Sequence, residues 1–240
     1  MRFVASLLTL GAAGVLAACA SSPSSRFYTL TGTDAPGAAP AQPASLYFEL
    51  APVDMPQQVT RNQLVVQTSP AQVKVLETER WASLPSDEMR RALSADLTRQ
   101  LGAIDVSGTA RPEGTPLYRV KVNVQRFESW PGSRAVIDAV WSVQTSAGAQ
   151  TTLTCRTVAQ ERVGDGFDAL VDGHRQAVSE IASAISSGVR SVAALPPAPA
   201  VSSSAKGKTA ASTPSAPLLP CPSGNLAALS PDDTHARRPL

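Results

Sequence analysis

Residues 117–163 carry three successive stretches in which apolar and polar side chains alternate. Leu117 to Glu128 places Tyr118, Val120, Val122 and Val124 on one side and Arg119, Lys121, Asn123 and Gln125 on the other. A side-chain period of two is that of a strand with one covered and one open face. Trp130-Pro131-Gly132-Ser133 supplies a turn, and Arg134 to Thr145 follows with Ala135, Ile137, Ala139, Trp141 and Val143 on one face. Ser146-Ala147-Gly148 is the next turn, and Thr151 to Val163 brings Leu153 and Cys155 to the same side. Short turns between consecutive strands specify an antiparallel meander. Its apolar face must be covered.

Two helical stripes can cover it. Pro85 and Ser86 mark a helix start, with Ser86 as N-cap and Asp87 and Glu88 complementing the dipole in the first turn. Met89, Leu93, Leu97 and Leu101 recur every four residues, and Gly102 ends the run. A second helix runs from about Asp168 to Val192. Leu170, Val171, Ala177, Val178, Ile181, Ile185, Val189 and Val192 form its apolar stripe. Upstream, Arg26 to Leu30 and Leu46 to Val53 read as strands. Gln63 to Thr68 and Val73 to Glu77 read as a hairpin about Ser69-Pro70. The segment around Trp81 then links that hairpin to the first helix. The expected architecture is α+β over residues 26–195: a mostly antiparallel sheet with two amphipathic helices packed on one face.

The two ends of the chain read differently. Arg2 precedes an apolar run from Phe3 to Ala18, the layout of a secretory signal over residues 1–18. Leu16-Ala17-Ala18-Cys19 resembles the lipobox of bacterial lipoproteins. That resemblance implies acylation of Cys19, a membrane-lipid contact through it, and a lipidated tether over residues 19–25. The competing reading is an ordinary signal cut at Ala18-Cys19-Ala20. Fully extended, Ala20 to Ser25 reaches roughly 20 Å. Residues 196–240 are rich in Pro, Ala and Ser without a periodic apolar face, and read as a disordered tail. Cys155 and Cys221 lie in different kinds of sequence, so a disulfide between them is allowed but not favoured.

The chain shows no catalytic signature. With a net charge of +2, no basic run and no aromatic–basic ladder, nothing suggests nucleic acid, and no nucleic-acid partner is expected. There is no nucleophile elbow, phosphate loop or dinucleotide fingerprint. His174 and His235 are the only histidines, and the neighbours of His174 at i±3 and i±4 are Leu170, Val171, Ala177 and Val178. These cannot complete a metal site. The reading is a non-enzyme with no cofactor and no metal. Arg90, Arg91 and Arg99 occupy a solvated helix face or meet lipid headgroups or an acidic partner. Trp81 either caps the core or, with Arg80 and Glu79, forms a partner-binding anchor on the connection into the first helix. The partner reading predicts that Trp81→Ala weakens capture and leaves the melting temperature nearly intact.

The order of short motifs carries a family resemblance. Arg26-Phe27-Tyr28-Thr29-Leu30 follows the lipobox. Asn62-Gln63-Leu64-Val65-Val66, Val73-Lys74-Val75, Glu79-Arg80-Trp81-Ala82 and Glu88-Met89-Arg90-Arg91-Ala92-Leu93 come next, and the helix at Ala169-Leu170-Val171 closes the pattern. From Cys19 to Leu195 the chain resembles the PqiC-type, or ABC-type transport auxiliary, lipoproteins. The resemblance implies a docking subunit of a mammalian-cell-entry (MCE) type intermembrane lipid transport system, with an MCE-domain transporter protein as partner. With Ala20, not aspartate, after Cys19, it also implies an outer-membrane, periplasm-facing location. A homo-oligomer stays open. The alternative is a periplasmic lipoprotein that carries an apolar ligand between helices and sheet.

Overall fold

The computed structural model describes residues 24–32, 46–111, 113–145, 151–195 and 219–222. The signal segment 1–18, Cys19, and the tail except residues 219–222 lie outside the described residues. The elements in chain order are β1 (Arg26–Tyr28), β2 (Tyr47–Leu50), a 3-10 turn (Gln57–Val59), β3 (Gln63–Ser69) and β4 (Gln72–Trp81). After these come α1 (Pro85–Leu101), β5 (Ile104–Asp105), β6 (Leu117–Trp130), β7 (Arg134–Thr145), β8 (Thr152–Arg162) and α2 (Phe167–Ala193).

The α+β class holds, but the sheet is divided. A five-stranded sheet has the order β5-β2-β6-β7-β8, and a three-stranded sheet has the order β1-β4-β3. The meander β6-β7-β8 and the hairpin β3-β4 are antiparallel. β2 runs parallel to both β5 and β6, and β1 runs parallel to β4. The sheets are therefore mixed. Consecutive strands with tight turns pair antiparallel, whereas strands far apart in sequence have enough intervening chain to pair parallel.

Register puts the apolar residues of the meander in rows across the sheet. Val122 opposes Trp141, which opposes Cys155; Val120, Val143 and Leu153 form the next row. All six are buried. The Trp141 indole N–H donates to Thr157 Oγ1 at 2.9 Å, so the largest buried side chain leaves no polar atom unpaired there. α2 packs on β7 and β8 and against α1, and every member of its apolar stripe is buried. α1 starts one residue earlier than its acidic turn suggests. Leu84 is the N-cap, and Pro85 takes the first helical position, where its missing N–H costs nothing. Ser86 is therefore inside the helix. Gly102 ends α1 in the left-handed region at φ 60°.

Gly188 sets how closely α2 approaches the sheet. A Cβ built there would lie 2.8 Å from the Trp141 ring and 3.2 Å from Leu153. A buried indole cannot rotate away. Gly188→Ala is expected to destabilise the domain by about 1–3 kcal/mol through overpacking, despite alanine's better helix propensity. Urea unfolding checks this; an unchanged midpoint would show that α2 can shift outward freely.

The C-terminal region departs from its reading. Cys155 and Cys221 form a disulfide with Cα atoms 5.6 Å apart across 66 positions of sequence. Leu219 packs against the main core. Residues 219–222 thus belong to the domain. Alanine and proline content says nothing about a covalent link to a distant strand.

Candidate docking and anchoring site

β1 is the first described element, and it is bound into the domain by side chains from three other elements. It lies alongside the end of β4, with Arg26 opposite Glu79, Phe27 opposite Arg80 and Tyr28 opposite Trp81. Glu79 is buried and accepts from the Tyr28 hydroxyl at 2.6 Å and from Arg26 Nε and Nη2 at 3.1 and 2.9 Å. Burial pushes its carboxyl up, but the hydrogen bonds from Tyr28 and Arg26 outweigh burial and hold it below the usual range. The Tyr28 hydroxyl is pushed up to about 12, first by burial and then by its bond to Glu79.

Glu88, in the first turn of α1, makes the second clasp. Its side chain is fully buried. It accepts from Thr29 Oγ1 at 2.7 Å, the Leu30 N–H at 3.0 Å, Ser83 Oγ at 2.7 Å and Arg91 Nη2 at 2.5 Å. Burial again pushes the carboxyl up, and the donors from Ser83, Thr29 and Leu30 with the Arg91 charge bring it below its ordinary value of 4.5. Arg175 on α2 adds two bonds to the Thr29 carbonyl oxygen at 3.2 and 2.9 Å. Residues 26–30 are therefore held by Glu79, Glu88 and Arg175 together.

Trp81, two residues beyond Glu79 at the end of β4, points inward. It is 2% exposed, and its ring meets Phe127 edge-on at 6.0 Å and His174 at 6.3 Å. Phe127 and His174 stack at 4.2 Å. His174 is fully buried; its Nε2 lies 2.8 Å from Ser129 Oγ, and its Nδ1 has no partner among the described residues. Burial lowers its pKa to about 3, so the ring is neutral and serves as an aromatic wall.

This geometry corrects the exposed-anchor reading of Trp81, Arg80 and Glu79. The strand β4 continues through Trp81, so period two turns Glu79 and Trp81 inward and leaves only Arg80 partly outward. Arg80 donates to the Glu77 carbonyl oxygen at 2.8 Å. Beside it, Phe27 is 65% exposed, an outward residue that the motif alone did not single out. The arginines of α1 are paired: Arg91 with Glu88, Arg99 with Asp96 at 2.6 Å and Arg90 with Asp105 at 3.8 Å.

Two concavities flank the clasp and the sheet. A groove of about 280 Å³ lies between α1 and α2 at the end of the clasped segment, with Leu30, Ala92 and Val178 as apolar floor and Arg99 and Arg175 at its rim. A shallower depression of about 500 Å³ lies on the open face of the larger sheet, lined by Pro52, Lys121, Asn123, Ser142 and Thr154. Among the described residues no group of three His, Cys, Asp or Glu side chains could hold a metal ion. No described helix is long and apolar enough to cross a membrane.

The sequence profile of the ABC-type transport auxiliary lipoprotein component family matches residues 28–186, a span running from the clasped strand into α2. The chain belongs to this family. Its family is one of lipoproteins associated with a transport system and with anchoring at an envelope membrane. The fold is similar to that of an uncharacterised protein of known crystal structure, at 19% identity and a TM-score of 0.55, covering 70% of this chain and 99% of that one. A Xanthomonas campestris protein covers the same shares at 15% identity and a TM-score of 0.49. No curated protein matches the chain.

Proposed function

We propose that this family member is acylated at Cys19, sits on the periplasmic side of the outer membrane, and docks an MCE-domain transporter protein as an auxiliary, non-catalytic subunit of intermembrane lipid transport. The observation that carries the reading is the double clasp. A tether of six residues leads into β1, and β1 is tied to β4, α1 and α2 through Glu79, Glu88 and Arg175. Force on the anchor therefore reaches a rigid body, as a docking subunit under load requires. A lipid carrier needs an apolar cavity of several hundred Å³ that closes over its ligand. Here both helical stripes are spent on the core, and the groove between the helices is small and rimmed by arginines. These features favour docking over carriage.

Cys19→Ser is expected to leave unprocessed or soluble protein and to abolish envelope function. Cell fractionation, with affinity capture from detergent and mass spectrometry, tests both halves. Outer-membrane recovery of the serine variant would sink the anchoring claim. Wild-type capture that never enriches an MCE-domain protein would sink the docking claim.

A further inference from the structure

The meander β6-β7-β8 gives one face to α2 and the core, and its opposite face carries the exposed members of each alternation. At the end of that face beside the β6–β7 turn, the register collects four arginines and a tryptophan. Trp130 opposes Arg134, which opposes Arg162. Arg126 opposes Asp138, which opposes Val158, and Arg156 lies two residues before Val158 on the same side of β8. Glu128, between Arg126 and Trp130 in the alternation, is the second acid of the cluster.

The charges are layered. Asp138 is 1% exposed and accepts from Arg156 Nε and Nη2 at 2.9 and 2.6 Å, while the Arg156 side chain is 63% exposed. Glu128 accepts from Arg126 Nε at 2.8 Å and from the Trp130 indole N–H at 3.1 Å, and it is again less exposed than its arginine. The arginine bonds hold both carboxyls below the usual range, so both stay ionised. The acids are thus sunk beneath guanidinium groups that face solvent. Arg134 lies over the Trp130 ring, 4.7 Å from its centroid. Arg162 is exposed, and neither it nor Arg134 enters an ion pair among the described residues. Like charges directly opposite on neighbouring strands destabilise a sheet. Four cations over two sunken acids, with the Arg134–Arg162 pair unrelieved, form a surface complementary to carboxylates from outside.

We propose that this end of the open sheet face is a docking surface for an acidic face of a protein partner, whose carboxylates pair with Arg126, Arg134, Arg156 and Arg162 around Trp130 as the apolar anchor. Every cation of the cluster is arginine, whose planar fork binds a carboxylate through two parallel bonds. Arg126, Arg134 and Arg156 are already held in place, so docking orders few side chains anew. A fixed spacing of guanidinium groups selects a partner whose own carboxylates are fixed. A fluid layer of lipid headgroups responds to net charge and gains nothing from that spacing. Tryptophan and arginine also dominate the energetics of protein interfaces, and the exposed Val158 adds apolar contact beside them. Naming the partner as the MCE-domain transporter protein rests on the docking reading above; the charge pattern itself does not.

The test compares the full chain with Arg162→Glu, both in detergent micelles, for capture of the MCE-domain protein, for binding to poly-L-glutamate and for thermal melting. Glutamate at 162 removes the like-charge pair and gives Arg134 a carboxylate within the sheet. Its melting temperature should therefore hold or rise, while its affinity for both probes falls about tenfold or more. A merely structural cluster would not move stability and binding in opposite directions. Wild-type binding should weaken as salt is raised. The proposal is overturned if Arg162→Glu captures the MCE-domain protein as the wild type does, or if its loss of binding is matched by a fall in melting temperature. Displacement of the captured protein by phosphatidylglycerol micelles, and not by phosphatidylcholine micelles, would also overturn it by making the cluster a lipid site. A wild-type chain that captures no MCE-domain protein sinks the docking reading, and poly-L-glutamate then decides the surface: binding that Arg162→Glu weakens upholds it, and equal binding by the two chains overturns it.

Discussion

Trp81→Ala destabilises the domain by about 3–5 kcal/mol. The indole is buried edge-on against the stacked pair Phe127 and His174, at the end of β4 beside β1. Truncation leaves a cavity that two stacked rings cannot fill, because Phe127 and His174 are already fixed against each other at 4.2 Å. The expected result is a large fall in the urea midpoint, with partner capture falling in proportion to the unfolded fraction and no further. This reverses the outcome that an exposed Trp81 predicts. A variant with a wild-type midpoint and lost capture would restore Trp81 to the surface and contradict its burial.

Most of the fold could be read from local pattern. β6, β7 and β8 are long, alternate cleanly and are joined by tight turns, so strand identity and pairing follow from period two. The α2 stripe follows from period 3.6 in the same way. What escaped was non-local. β1 and β4 meet across 53 positions of sequence, and nothing in either segment names its neighbour. β5 has two residues and no pattern to detect. Glu88 reads as a dipole-complementing first-turn acid; its burial depends on Thr29 and Leu30, nearly sixty residues away. The sequence held no clean signal for Trp81: Val73 and Glu77, in phase with it along β4, are exposed, and the ladder with β3 shifts register between Val75 and Arg80, so the alternation does not carry through to Glu79 and Trp81. The Cys155–Cys221 bond had no signal either, since proline-rich composition carries no information about what a cysteine within it reaches.

Acidification from pH 7 removes stability in two stages with separate causes. His174 acts first. Its folded pKa of about 3 lies below the ordinary 6.5 because the ring is fully buried. Between those values the unfolded chain binds a proton that the folded chain refuses, so stability falls as pH falls. At about 1.4 kcal/mol per unit, the loss is roughly 2 kcal/mol by pH 5 and roughly 5 kcal/mol across the whole window. Glu79 and Glu88 act second. Both are held below 4.5 in the folded state, so their contribution is complete above 4.5 and is lost as pH falls through the lowered values. The signs agree, and the acid limb should steepen below pH 4.5. Two variants separate the stages. His174→Phe keeps the stack on Phe127, leaves only the Ser129 hydroxyl unpaired, and should flatten the limb between pH 6.5 and 4.5. Glu88→Gln should leave that upper limb unchanged and flatten the lower one, at the cost of a weaker clasp on Thr29 and Leu30 at every pH. Urea unfolding at intervals from pH 7 to about 3 distinguishes them. A wild-type midpoint that does not move between pH 7 and 5 would mean that His174 takes up a proton inside the fold, and the dry core behind the clasp would have to be given up.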